Sequence, residues 1–463
     1  MSTDEQGPVR SVPVPFEGLG AGEAPLTWAQ LDVWQSSTDS GAAVTIGGVH
    51  QMPAGTTVED VLEVLRFIMS RHQALRTRLR LGPDGRPRQV CSTSGAASLL
   101  VVDAAGEEPD ACAQRIKVRL ERQGFDYEQD WPVRMAVITV DGLVSHVVTI
   151  YLHLAVDAAG IEVVVADLAA RDPLTGAAAG PITAIQPLEL ARRQARPAAR
   201  RQSEASLRHL EQVLRTVPAA MFGDPDPDRP ARYRRISYRS PASELALRRI
   251  VAEHTVSSSS AVLAMFAVGL ARRLQRDLVW AMVLVNNRFR PGLADSACQL
   301  AQSSPYRIDL AGLSLAEAVS QTQRNLLHTY KTAYYDSRQH DELIARLGRE
   351  LPEPVDLCCY YNDRSGGRPA AAAGAPITED QLRDAVALSS WTEDTEHALP
   401  AAPMFMNVND PPGLIELQVS FDARHFTVAD MVALCGEIER AAVQAAITPT
   451  APAGASLRVG LPA

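Results

Sequence analysis

The stretch that most restricts the fold is Ser145–Leu152, Ser-His-Val-Val-Thr-Ile-Tyr-Leu. A half-exposed strand alternates polar and apolar residues. A run this apolar is instead expected to be buried on both faces, in a sheet interior. The preceding Met135–Val140 is also strand-like, and the two are joined by Asp141-Gly142. That pair accepts the positive φ values of a two-residue hairpin. After the run come His153-Leu-Ala-Val-Asp157-Ala-Ala-Gly160, and then Ile161, Val164, Val165 and Leu168 at helical spacing. The reading is a strand with an imidazole at its end, a carboxylate in the turn, and a helix leading away.

The rest of the chain repeats this mixture. Its 463 residues suggest more than one core. With 46% hydrophobic and 21% charged residues, it is globular rather than disordered. Residues 1–22, rich in Pro and Gly, read as a flexible arm. A helix is expected from about Thr27, a strand over 44–51, and a helix capped by Thr57 with Asp60 three residues on. Strands follow at 74–81 and 89–92 around the Pro83-Asp84-Gly85 turn. The region 171–203 lacks apolar periodicity and marks the boundary between halves. This gives an N-terminal lobe over 23–180, a C-terminal lobe over 181–446 and a tail over 447–463. In the second half, strands are expected at 234–238, 279–285, 357–361 and 415–421. Helices are expected at 203–217, 242–254, 257–274, 314–333 and 428–445. Residues 365–376 read as a mobile loop.

Several classes are disfavoured. Lys and Arg total 45 against 54 Asp and Glu, a formal charge of −9, which suits a generic nucleic-acid binder poorly. The six cysteines form no CxxC and sit near no His at zinc spacing, so no metal site is expected, and they read as small core residues in a reducing compartment. No signal peptide or membrane-length apolar run is visible, giving the expectation of a cytoplasmic protein with no membrane partner. Gly-x-Ser-x-Gly is absent, as is an evident Cys–His pair, so a covalent acyl-enzyme is not indicated.

His153 is the leading candidate for chemistry, because an imidazole on a rigid strand end can reach a substrate proton. Asp157 either orients it or turns away to pair with a base elsewhere. Four stretches resemble motifs of the condensation domains of nonribosomal peptide synthetases, in free-standing form, within the chloramphenicol-acetyltransferase-like superfamily. They are Pro25–Trp34, Arg71-His-Gln-Ala-Leu-Arg-Thr77, Leu152-His-Leu-Ala-Val-Asp-Ala158 and Val285-Asn-Asn-Arg-Phe-Arg-Pro291. The resemblance implies an α/β fold of two lobes in a V-shaped pseudo-dimer, with mixed sheets flanked by helices and the site at the seam. It implies His153 as the catalytic residue, and Asp157 and Arg288 as a supporting ion pair across the lobes. Ala158, Asn286, Ser304 and Tyr335 fall at backbone or tunnel positions. The family's first His is Leu152 here, removing a polar group from the tunnel wall, and its Gly is Ala158, whose methyl threatens to crowd the site.

The function implied is joining an acyl or aminoacyl thioester to an amine or hydroxyl in natural-product biosynthesis. The donor would arrive on the phosphopantetheine of a carrier protein, acting in trans because no Asp-Ser-Leu-type attachment site ends this chain. The nucleophile would come as a small molecule or on a second carrier, and no bound cofactor is implied. The alternatives are a non-catalytic recruitment protein and an acyltransferase using a coenzyme-A thioester. The basic run Arg192, Arg193 and 196–201 reads as a solvated helix face or as a dock for an acidic carrier. Trp391 is a candidate for a segment crossing between lobes.

Overall fold

The computed structural model describes residues 9–172, 175–365, 376–394 and 402–455, so 366–375, most of the expected mobile loop, lie outside the described residues. The chain divides into two compact units. The first runs to Ser203 and also takes Asn286–Gln302 and Asp336–Arg338; the second takes the rest. The division thus falls at 203/204 rather than 180/181, and the chain returns twice to the first unit. Apolar contacts explain the shift. Leu188 and Ala191, on the Pro187–Gln194 helix, pack with Ala24 and Cys91. Ile185 and Leu190 pack with Ala74, Leu293, Cys298 and Leu300.

The first unit is built on a five-stranded sheet in the order Val9–Glu17, Ser94–Asp103, Val133–Val140, Leu143–Leu152, Thr45–Gln51. Only the pairing of Ser94–Asp103 with Val133–Val140 is parallel. Helices Val58–Arg71 and Ala158–Ala169 cover one face, packing Leu65, Ile68 and Val164 on Leu99, Val137 and Tyr151. Helix Pro109–Arg122 covers the other, with Ile116 and Leu120 on Ala136, Val148 and Ile150. Coverage on both faces accounts for the predominantly apolar stretch Ser145–Leu152. The hairpin forms as expected, with φ of 52° at Asp141 and 81° at Gly142. A smaller antiparallel sheet joins Gly22–Pro25, Pro87–Cys91 and Thr77–Leu81.

Two local expectations are corrected. Residues 9–17, taken as part of a flexible arm, form an edge strand paired with Ser94–Asp103 along its full length. Val12, Val14 and Phe16 turn inward, while Pro13 and Pro15 are tolerated because an edge strand needs hydrogen bonds on one side only. The strand expected over 74–81 starts at Thr77, after a 3-10 turn at Gln73–Arg76. The Thr77 hydroxyl closes that turn by donating to Gln73 O at 2.6 Å.

The second unit carries a seven-stranded mixed sheet in the order Gln302–Asp309, Leu278–Val285, Cys359–Asp363, Met404–Asn409, Ile415–Asp422, Tyr233–Ser240, Ser390–Asp394. Leu278–Val285, Cys359–Asp363 and Met404–Asn409 run parallel. Helix Ser258–Leu274 is buried continuously from Ser260 to Ala271, and packs with Val428–Ile447 over Trp280, Met404 and Phe421. All six cysteines are buried free thiols. Among the described residues no single helix is long and apolar enough to cross a membrane.

The edge strand Thr45–Gln51 lies beside Leu143–Leu152, which leads directly into His153, and Val44 O accepts the His153 N–H at 2.9 Å. A Cβ on Gly47 would stand 2.0 Å from Thr149 O and 2.9 Å from Ile150 Cα. Both are backbone atoms that cannot rotate away. Gly47→Ala is therefore expected to destabilise the first unit by about 1–3 kcal/mol, read as an earlier transition in urea unfolding.

Candidate active site

His153 follows directly on the buried strand. Its N–H is held by Val44 O, and Ala155 N–H donates to Leu152 O at 2.9 Å, closing a tight turn. Of the eight residues from Ile150 to Asp157, seven are buried and His153 alone is half-exposed. The turn thus offers solvent one side chain, an imidazole.

Asp157 is 3% exposed, and of the two alternatives read from the sequence it takes the second. One carboxylate oxygen, Oδ1, caps the Ala158–Ala169 helix by accepting Gly160 N–H at 2.7 Å. The same oxygen lies 2.8 Å from Arg288 Nη2. Oδ2 accepts from Arg288 Nη1 at 3.0 Å, Leu300 N at 2.9 Å and Ala301 N at 3.0 Å. Both terminal nitrogens of the guanidinium are engaged as well: Nη2 also donates to Ser296 O and Cys298 O, each at 2.9 Å. This is a two-pronged, charge-assisted pair whose carboxylate oxygens and terminal guanidinium nitrogens make further bonds to backbone. The segment bearing Arg288 belongs to the first unit, so the ion pair is made within that unit and not across lobes as expected. The neighbouring Cys298 thiol is pushed up to about 12 by burial, and so stays neutral beside the pair.

The other expected positions separate. Ala158 is the first residue of the helix, half-exposed and without positive φ. Its methyl carries no backbone strain. The close approach falls instead at Gly160, where a Cβ would lie 2.6 Å from Val156 Cγ2, 2.9 Å from Arg288 Nη2 and 3.0 Å from Cys298 O. Leu152, expected on a tunnel wall, is buried in an apolar cluster with Leu26, Leu79 and Leu154. A hydrocarbon there needs no hydrogen-bond partner, whereas an imidazole would. Asn286 is exposed and accepts Arg288 N–H at 3.0 Å. Ser304 and Tyr335 belong to the second unit, where Ser304 Oγ lies 3.0 Å from Thr332 Oγ1 and Tyr335 OH donates to Ser303 O at 2.8 Å.

Sequence reasoning passed over Asn287. It is fully buried at φ 60°, donates from Nδ2 to Leu300 O and accepts Arg290 Nε–H, both at 3.0 Å. Asn tolerates this left-handed backbone better than most residues, and the Asn-Asn pair before Arg288 was the available signal. The Arg71-His72 motif proves to be a brace. Arg71 grips Asp167, on the same helix that Asp157 caps, through Nε at 2.7 Å and Nη2 at 3.0 Å, and His72 Nε2 lies 3.2 Å from Asp167 Oδ2. Arg76, wholly buried, donates to Leu19 O, Gly20 O and Ser92 O.

With this geometry in view, the comparisons identify the chain. The condensation-domain family model matches residues 21–347, well over half the sequence, and the protein belongs to the condensation-domain family. Condensation domains are acyltransferase-like and work with carrier proteins in nonribosomal peptide synthetases. The chain is 27% identical over 391 residues to the AMB antimetabolite synthetase AmbB of Pseudomonas aeruginosa, covering 81% of this chain but only 30% of that protein. It therefore spans under a third of that relative's length. The fold matches the solved condensation domain of chain release from the enacyloxin polyketide synthase, at TM-score 0.70, 20% identity and coverage of 96% and 86% of the two chains. It matches equally the X-domain solved in complex with OxyB from teicoplanin biosynthesis, at TM-score 0.70, 17% identity and coverage of 96% and 98%.

Two outcomes follow. Arg288→Ala strands a buried carboxylate and is expected to cost about 3–5 kcal/mol, seen as a lowered melting temperature. The second concerns His72, whose pKa burial lowers to about 4, with Arg71 adding to the shift and Asp167 opposing it. Below pH 6.5 the unfolded chain takes up this proton and the folded chain does not until about 4. His72 therefore withdraws stability as pH falls through that window, by about 1.4 kcal/mol per unit of pKa difference. His209, also lowered to about 4 by burial and by His328, acts in the same direction. In denaturation midpoints measured from pH 7 to 4.5, His72→Gln should fall less steeply than wild type, but should not become flat.

Proposed function

We propose that this chain is a condensation enzyme joining a carrier-bound acyl or aminoacyl thioester to an amine or hydroxyl. The observation that carries the reading is His153, the one partly exposed side chain in an otherwise buried run, on a turn fixed by the Asp157–Arg288 pair. In the proposed step, His153 Nε2 accepts the proton of the nucleophile as its N or O attacks the thioester carbonyl. The new C–N or C–O bond forms, the C–S bond breaks, and the departing thiolate of the phosphopantetheine arm recovers the proton. Asp157 is a positioning residue: its bonds go to Arg288 and to backbone, and it holds the turn. General-base assistance of this kind contributes on the order of 10²–10⁴-fold, and alignment of two bound reactants supplies the remainder.

A second reading, a recruitment platform without chemistry, draws support from the match to an X-domain solved with OxyB and from Leu152 at the first-His position. The fit of Leu152 into an apolar cluster weakens it, since that replacement leaves the turn intact. The deciding measurement is product formation by wild type and His153→Ala with a carrier-loaded thioester and with its coenzyme-A counterpart. Condensation predicts loss of about 10²-fold or more in the variant, with an unchanged melting temperature and a preference for the carrier-borne donor. Turnover by neither protein supports recruitment instead, and equal turnover by both removes His153 from the chemistry.

A further inference from the structure

Helix Pro187–Gln194 and the start of helix Pro197–Leu214, both amino-terminal to the second unit, carry five arginines within the ten positions 192–201. Arg192, Arg193, Arg196, Arg200 and Arg201 are all exposed, and Glu189 is the only acidic residue among positions 186–203. Glu189 engages Arg193 at 2.9 Å and lies 3.9 Å from Arg196. Among the described residues, no carboxylate forms an ion pair with Arg192, Arg200 or Arg201. The residues between them, Ala195, Pro197 and Ala198, are small and exposed, and Arg192, Arg200 and Arg201 are themselves exposed. Arg192 and Arg193 also line a solvent-open cavity of about 290 Å³ with Gln73, Thr183, Gln186 and Glu189, which gives a partner's side chain a place to key in. Five arginines against one glutamate is a marked reversal of sign in a chain of net charge −9.

We infer that this arginine face docks the carrier protein through an acidic helix on the carrier. The inference rests on the carrier-dependent reading above. Charge complementarity selects the partner: exposed guanidinium groups in net excess favour clustered carboxylates, and complementary patches of this kind steer encounter more than they add final affinity. The face lies outside the His153 turn, and its residues make no bond to Asp157 or Arg288.

The test uses the triple variant Arg192→Glu/Arg196→Glu/Arg200→Glu, with a purified holo carrier protein loaded with an acyl group and the same acyl group on free N-acetylcysteamine. All three positions are exposed, so the fold should survive, and a melting curve checks this. The expected result is a rise of at least about tenfold in KM for the carrier-borne donor. The kcat, and both constants for the free thioester, should stay unchanged, and raised salt should narrow the gap between wild type and variant. Unchanged KM for the carrier, or equal losses on both donors, overturns the docking face and leaves the condensation reading standing. So does a wild type that uses the free thioester but gains nothing from carrier presentation. Turnover of neither donor by the wild type removes the condensation reading itself, and the docking face with it.

Discussion

A carboxylate and a guanidinium, both almost entirely out of water, hold the most informative part of this protein together. Burying either alone would be prohibitive, and burying the pair is tolerable only when geometry and further hydrogen bonds are good. Here they are: Asp157 accepts from five donors, two of them on Arg288. The arrangement sews residues 296–301 around the turn that carries His153. Gly160 is part of the same fit, because any side chain there would press on the guanidinium. The imidazole's position is therefore a consequence of charge burial several residues away.

The helix that Asp157 opens is tied a second time near its far end, where Asp167 meets Arg71 and His72. Two ion-pair sites on one helix, joined to two different parts of the chain, leave the His153 turn little freedom. Leu152 shows the complementary strategy. At the residue before His153 this chain places a hydrocarbon among other hydrocarbons, and no unsatisfied group results. Rigidity of the turn thus comes from satisfied charges on one side and close apolar packing on the other.

Much of the architecture was legible because local rules and packing agreed. Asp141-Gly142 announced a hairpin, Thr57 with Asp60 announced a helix start, and the apolar run Ser145–Leu152 announced an interior strand. Failures came where tertiary context overrode a local rule. Pro13 and Pro15 argued against a strand, yet an edge position accepts them. Residues 187–194 showed little periodicity because the helix is short and packs Leu188 and Leu190 into different clusters.

The sequence alone determined that a strand ends at His153, that a helix begins just beyond Asp157, and that Arg288 follows a second buried strand, since each of these depends on neighbours a few residues away. The tertiary structure decided what those groups do to one another. Whether Asp157 would face the imidazole or a distant guanidinium is a choice between partners 4 and 131 positions off, and only packing makes it. That Gly160 rather than residue 158 is the crowded position, and that Asn287 rather than Asn286 pins the loop, likewise follow from atoms brought close by the fold, where steric exclusion and desolvation act and sequence spacing carries no information.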